Sequence, residues 1–181
     1  MADLISEHGR QNLARAFERA ARETLIVDVN DQISIQDSEM LFHADPGQAI
    51  LLITISSFTF RLLTIFQIAE APALSAYYVR GAAGRSLQEA FAEVANMCCG
   101  AINRQLALTW PHLAMSIPQI LDTRCLAFVN DLRPQYLSQY ALSINEAVKL
   151  RATLCLCCSA PVEFAALASE AQESSGELEL F

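Results

Sequence analysis

Blocks of basic residues are missing from this 181-residue chain, in which 12 Lys and Arg are outnumbered by 20 Asp and Glu for a formal net charge of −8. Nucleic-acid binding rests on clustered cations facing phosphates, so nucleic acid is not an expected partner. Long apolar runs are missing too. The longest, residues 49–55, stops at Ser56 and Ser57, far short of the roughly 20 residues that span a bilayer, and no membrane association is expected. Near the N-terminus stand Asp3 and Glu7 instead of a basic region followed by an apolar run, which argues against a secretory leader. A soluble, cytoplasmic protein is expected.

Chemical signatures are equally sparse. The three histidines, His8, His43 and His112, are scattered singly, and the pairs Cys98-Cys99 and Cys157-Cys158 lack the two-to-four-residue spacers of a zinc site. No metal site is expected, and the six thiols read as small apolar side chains in a reducing compartment. There is no Gly-x-Ser-x-Gly elbow, no phosphate-binding glycine loop and no His pair at ligand spacing. Chemistry that needs a nucleophile or metal from this chain therefore has no support.

What is present is a composition 53% apolar and 18% charged, enough to build the core of one domain, expected over residues 1–171. Residues 172–181, QESSGELELF, read as a flexible acidic tail. Its last five residues alternate charged and apolar side chains, which leaves open a solvated end or strand addition to a partner.

Hydrophobic periodicity predicts a helix over residues 3–25 with Leu13, Phe17, Ala20 and Thr24 on its inner side. An irregular strand over 33–42, strands over 49–56 and 60–68 joined by a turn at Ser56-Ser57, and a short helix from Pro72 to Val79 follow. After a long helix from Ser86 come an extended piece at Met115-Ser116-Ile117-Pro118 and strands over 124–130, 136–144 and 149–158, with Asn145-Glu146-Ala147 short enough for a hairpin. A last helix is expected from Pro161 to about Ala171. The order suggests an α+β domain that could divide into two related halves, each led by a long helix. Exposed edge strands in so apolar a sheet favour a homodimer.

The richest segment is residues 86–108, SLQEAFAEVANMCCGAINRQLAL. Leu87, Phe91, Val94, Cys98, Ala101 and Ile102 recur at the spacing of a buried stripe. Glu89, Glu93, Asn96, Gly100 and Asn103 recur two residues along, roughly 200° away at about 100° per residue. Gly and Asn each cost a helix interior roughly 0.5–1 kcal/mol relative to Ala, so a column holding both calls for a reason other than helix stability. Glu93 and Asn96 stand as neighbours on one face, a carboxylate to pair with a cation and an amide able to orient a water. Gly100 leaves room for a partner to approach the helix closely. Structural readings stand beside these. Glu89 follows Ser86 by three and fits a capping box, Glu93 alone is an ordinary solvated residue, and Asn96 with Gly100 could mark a break after Met97.

The segment resembles the signature of the CheC/CheX/FliY chemotaxis phosphatase family: an Asp or Ser, three residues, Glu, two residues, Asn, and a Pro some two dozen positions on. Here it reads Glu89-x-x-x-Glu93-x-x-Asn96, with Pro118 within one residue of the expected proline, and the words NMCCG and MSIPQIL match the family's pattern. Glu89 departs from the usual Asp or Ser. Members like CheC carry a second Glu-x-x-Asn on the first helix, where this chain offers Glu18-x-x-Ala21, so CheX is the closer likeness.

The resemblance implies a CheC-like α+β fold, a mostly antiparallel sheet of about six strands packed with long helices, and a dimer. It also implies a hydrolase that dephosphorylates a CheY-type response regulator in chemotaxis or related two-component signalling. Glu93 would pair with the regulator's active-site lysine and Asn96 would place a water in line with phosphorus. Mg²⁺ is expected on the regulator, with no cofactor in this chain. Glu89, Gly100, Asn103, Arg85 and Arg104 are expected at the docking surface, the two arginines steering an acidic partner. The alternative on the same scaffold is a binding module like the flagellar switch proteins, which hydrolyses nothing.

Overall fold

In the computed structural model, residues 3–38, 48–69, 71–80 and 84–166 are described. Helix α1 spans Glu7–Thr24, and its start is set by Ser6, whose Oγ accepts from Gly9 N at 2.9 Å. The expected start at residue 3 therefore moves inward: a hydroxyl satisfying one of the free N–H groups of the first turn fixes the boundary. Leu13, Phe17 and Ala20 are buried as the periodicity predicts, joined by Ala16 and Ala21.

Strands β1 (Ile33–Asp37), β2 (Ala49–Ser56) and β3 (Phe60–Ile68) follow. Residues 39–42 of the expected first strand lie outside the described residues. The β2–β3 turn is tied by Ser57, whose N donates to Phe60 O at 2.9 Å while its Oγ accepts from Thr59 N at 3.1 Å. Helix α2 (Pro72–Tyr78) starts on its proline, and α3 runs Leu87–Leu106. The strands β4 (Ala114–Met115) and β5 (Gln119–Asp122) both pair with β2 on either side of Ser116-Ile117-Pro118. Proline cannot donate to a sheet ladder and is tolerated at such an edge. Strands β6 (Tyr136–Ile144) and β7 (Val148–Cys158) form the second hairpin. Asn145 (φ 48°) and Glu146 (φ 61°) take the left-handed conformations that a tight hairpin turn requires.

The seven strands make one antiparallel sheet in the order β1-β6-β7-β3-β2, with β4 and β5 on the far side of β2. Exchanging β1–β3 with β5–β7 gives the same order reversed. Two halves, α1 with β1–β3 and α3 with β4–β7, are thus interlocked, the first lending β1 to β6 and the second lending β4 and β5 to β2. One face of the sheet is covered by the helices. Phe17 meets Tyr140 at 4.6 Å between ring centroids, and Phe91 sits edge-on to Phe66 (5.6 Å) and Tyr78 (5.1 Å). Fully burying a side chain of this size contributes about 1.5–3 kcal/mol. Among the described residues, no helix is long and apolar enough to cross a membrane.

Two expected elements are corrected. Residues 124–130 are not a strand but run through two short 3-10 helices, Thr123–Phe128 and Asn130–Leu132, joined at Val129 on the other face of the sheet. Leu126 and Val129 are three apart, one turn of a 3-10 helix, so both reach the small cluster of Ile50, Ile65 and Cys155. Asp122 caps the first turn by accepting from Arg124 N at 2.8 Å. The six expected strands thus lose one, and the extended piece around Pro118 supplies two short ones.

The last expected helix is absent over residues 161–166, where the chain is extended and lies across α1. Val162 bridges Ile5 in parallel and its N donates to Leu4 O at 2.8 Å; Asn12 Nδ2 donates to Phe164 O at 2.8 Å. Val162 and Phe164 are buried with Glu163 exposed between them, a period of two that outweighs the helix-start signal of Pro161. Residues 167–171 and the tail at 172–181 lie outside the described residues.

Candidate functional site

Helix α3 is continuous through Asn96, Met97 and Gly100, so the expected alternative of a break after Met97 does not apply. Phe91, Cys98, Ala101 and Ile102 are fully inside with Ala90, Ala95, Cys99 and Leu106, while Leu87 and Val94 are half-buried. Burial pushes the Cys98 thiol up to about 12 and Cys99 higher still, so both stay protonated and pack as apolar groups. With this stripe held against the sheet and α1, the opposite side of the helix faces outward.

That outward side carries the motif, and each member has a distinct environment. Glu89 completes a capping box. Its Oε2 accepts from Ser86 N and Ser86 Oγ, both at 2.9 Å, and Ser86 Oγ accepts from Glu89 N at 3.2 Å. Those hydrogen bonds, the backbone one first, hold the Glu89 carboxyl below its usual range. The structural reading of Glu89 accordingly applies in the free protein: both hydrogen-bond donors its carboxylate reaches belong to its own helix end.

Glu93, one turn on, is 71% exposed at its side chain and ion-paired to Arg85. The guanidinium holds its carboxyl below the ordinary value. Asn96 stands three residues further, exposed, and its amide has no hydrogen-bond partner among the described residues. Met97, 59% exposed and four residues after Glu93, adds an apolar side chain to the same surface. Sequence reasoning passed over Met97 as a point of possible fracture; its i+4 relation to Glu93 was the available signal.

The lower end of the column differs from expectation. Gly100 is half-buried, and a Cβ built there would stand 3.7 Å from Arg104 Nη1, an ordinary contact. The surface expected to be bare is therefore flanked by the exposed Arg104, and no contact among the described residues demands glycine there. Asn103 is half-buried, with its Oδ1 out of reach of solvent and without a hydrogen-bond partner. The structure thus brings Arg85, Glu89, Glu93 and Asn96 to one exposed stretch and leaves Asn103 at its margin. Pro118 is half-buried in the edge interruption between β4 and β5.

Chemically, the surface offers an ionised carboxylate and, one turn away, a free amide that both donates and accepts. Among the described residues, no three His, Cys, Asp or Glu side chains converge as metal ligands. A carboxylate and an amide in this arrangement are able to pair with a cation and to hold a water.

No protein-family model matches the chain, and no curated protein matches its sequence. Solved structures do. The chain is similar to the chemotaxis protein CheX from Vibrio vulnificus, at 14% identity over 80% of this chain and 98% of that one, with a TM-score of 0.55. It is similar to a putative chemotaxis protein from Desulfovibrio vulgaris Hildenborough, at 14% identity over 83% and 99% of the two chains and a TM-score of 0.54. A third likeness is to a chain of the CheX–CheY–BeF3–Mg²⁺ complex from Borrelia burgdorferi, at 9% identity over 81% and 96%, with a TM-score of 0.52. At these identities the likeness is one of fold: the chain has the α+β fold of CheX, as the motif on α3 led us to expect.

Proposed function

We propose that this chain binds a phosphorylated CheY-type response regulator and accelerates hydrolysis of its phosphoaspartate. The observation that carries the reading is the free, exposed Asn96 amide one helical turn from the ionised Glu93, on the face of α3 turned away from the core. In the docked complex Glu93 pairs with the regulator's lysine and Asn96 orients a water in line with phosphorus. The water oxygen bonds to phosphorus as the bond to the aspartyl oxygen breaks, which releases inorganic phosphate and a free carboxylate. Mg²⁺ belongs to the regulator, so this chain contributes position alone. A homodimer and a cytoplasmic location form part of the same proposal.

The rival reading is a binding scaffold, favoured by one observation: Glu89 and Glu93 are both already engaged by groups of this chain. The decay of phosphorylated regulators from the same organism decides between the two. Faster decay with the wild type, reduced about 100-fold by Asn96→Ala and also lost with Glu93→Ala, supports the phosphatase. Binding without acceleration moves the reading to the scaffold.

A further inference from the structure

Arg85 precedes the N-cap of α3, just after Gly84, which occupies the left-handed conformation at φ 88°. Its side chain turns back along the helix: Nη2 donates to Glu89 O at 3.4 Å and pairs with Glu93 Oε1. Glu89 lies near, but its carboxylate accepts from Ser86 N and Oγ, so Glu93 is the carboxylate that the guanidinium engages. The cation is also the more sheltered member, 34% exposed at its side chain against 71% for the carboxylate.

We propose that Arg85 is a specificity-determining residue of the α3 surface, an internal counter-ion that a partner's cation must displace from Glu93. The proposal rests on the reading of Glu93 as the carboxylate that meets a partner. A tethered cation competes at an effective concentration in the millimolar range, which a dilute protein offering only a lysine does not overcome. A partner that delivers its cation together with contacts to Asn96 and Met97 does. Arg85 thus raises the threshold for every partner and selects for one that engages the whole surface. The steering role expected for Arg85 gives way to competition, because its charge is already matched within the chain.

Exposed ion pairs are weak, and the expected effect is correspondingly modest. Arg85→Gln should tighten binding of a beryllofluoride-loaded, Mg²⁺-bound CheY-type regulator about two- to fivefold. In a Glu93→Gln background the same change should do nothing, since the competition then has no object. In the free protein, a ¹³C NMR titration should show the Glu93 carboxyl midpoint rising in Arg85→Gln. Weaker binding of Arg85→Gln would make Arg85 a docking cation and overturn the proposal. An unmoved Glu93 midpoint would overturn it as well, by showing that the pair does not persist in solution. If neither wild type nor any variant binds a regulator, the functional reading fails and the proposal falls with it, an outcome that the silent wild type distinguishes.

Discussion

Helices α1 and α3 hold equivalent places in the two interlocked halves, yet they treat an asparagine in opposite ways. Each starts on a serine cap, Ser6 and Ser86, and each drives one large aromatic into the core, Phe17 and Phe91. On α1, Asn12 is 1% exposed and its amide holds the last described strand-like segment through Phe164 O. On α3, Asn96 is exposed and its amide has no partner among the described residues. The Glu-x-x spacing teaches the same lesson. Ala21 follows Phe17 by four residues, about 40° round the helix and still inside, at 0% exposed. Asn96 follows Phe91 by five, about 140° round and outside. A motif's register against the core stripe, and not its spacing alone, decides whether it can meet another molecule.

The strongest test of that comparison is to place an amide on α1 at the position corresponding to the motif. Ala21→Asn should not create a second site. It would enlarge a fully buried position and desolvate an amide without a partner, at a cost of about 3 kcal/mol. Asn96→Ala should leave stability within about 0.5 kcal/mol of wild type, as surface changes do. Urea midpoints for both variants measure the difference. Equal midpoints would show that α1 can turn its Glu-x-x-Asn outward at little cost, and the contrast between the helices would lose its physical basis.

A smaller effect separates the two natural asparagines. Asn12→Ala strips Phe164 O of its hydrogen bond. Because Asn12 Oδ1 itself has no partner, the net loss should lie near the lower end of the range for such changes, about 1 kcal/mol. Faster amide exchange at Val162, whose N donates to Leu4 O, would show that the segment crossing α1 has loosened. Unchanged exchange there would mean that Val162 and Phe164 hold it by burial alone.

Much of this architecture was legible in the residues because local and global signals agree. β2 and β3 are apolar, β-branched runs about a serine turn, Pro72 opens α2, and Ser86 with Glu89 announces α3. The misreadings share a cause. Residues 124–130 and 161–166 are short apolar runs whose form is chosen by what lies beneath them, the outer face of the sheet for one and α1 for the other. For the site, periodicity placed Glu93 and Asn96 on the exposed face. It could not show that Arg85 reaches Glu93, because that contact depends on how the chain enters the helix at Gly84.

The smallest expected difference between the helices is in their response to acid. Only α3 has a carboxylate in its cap; the corresponding third helical position of α1 is Gly9. Glu89 is held below its usual range by Ser86, so its folded form binds a proton less readily than the unfolded chain. Stability from this contact is therefore fully present above the ordinary carboxylate range, near pH 4.3, and fades as the pH falls through the lower folded value. The Ser86 amide, which donates to Glu89 Oε2, should lose its hydrogen bond on acidification, with fraying confined to the first turn of α3. The Gly9 amide donates to the Ser6 hydroxyl, which does not titrate, and should keep its bond through the same interval. Amide chemical shifts of Ser86 and Gly9 followed from pH 6 to pH 3 test this directly, with Glu89→Gln as the non-titrating control. If the Ser86 shift moves identically in Glu89→Gln, the pH response arises elsewhere, and the carboxylate is not what distinguishes the start of α3 from the start of α1.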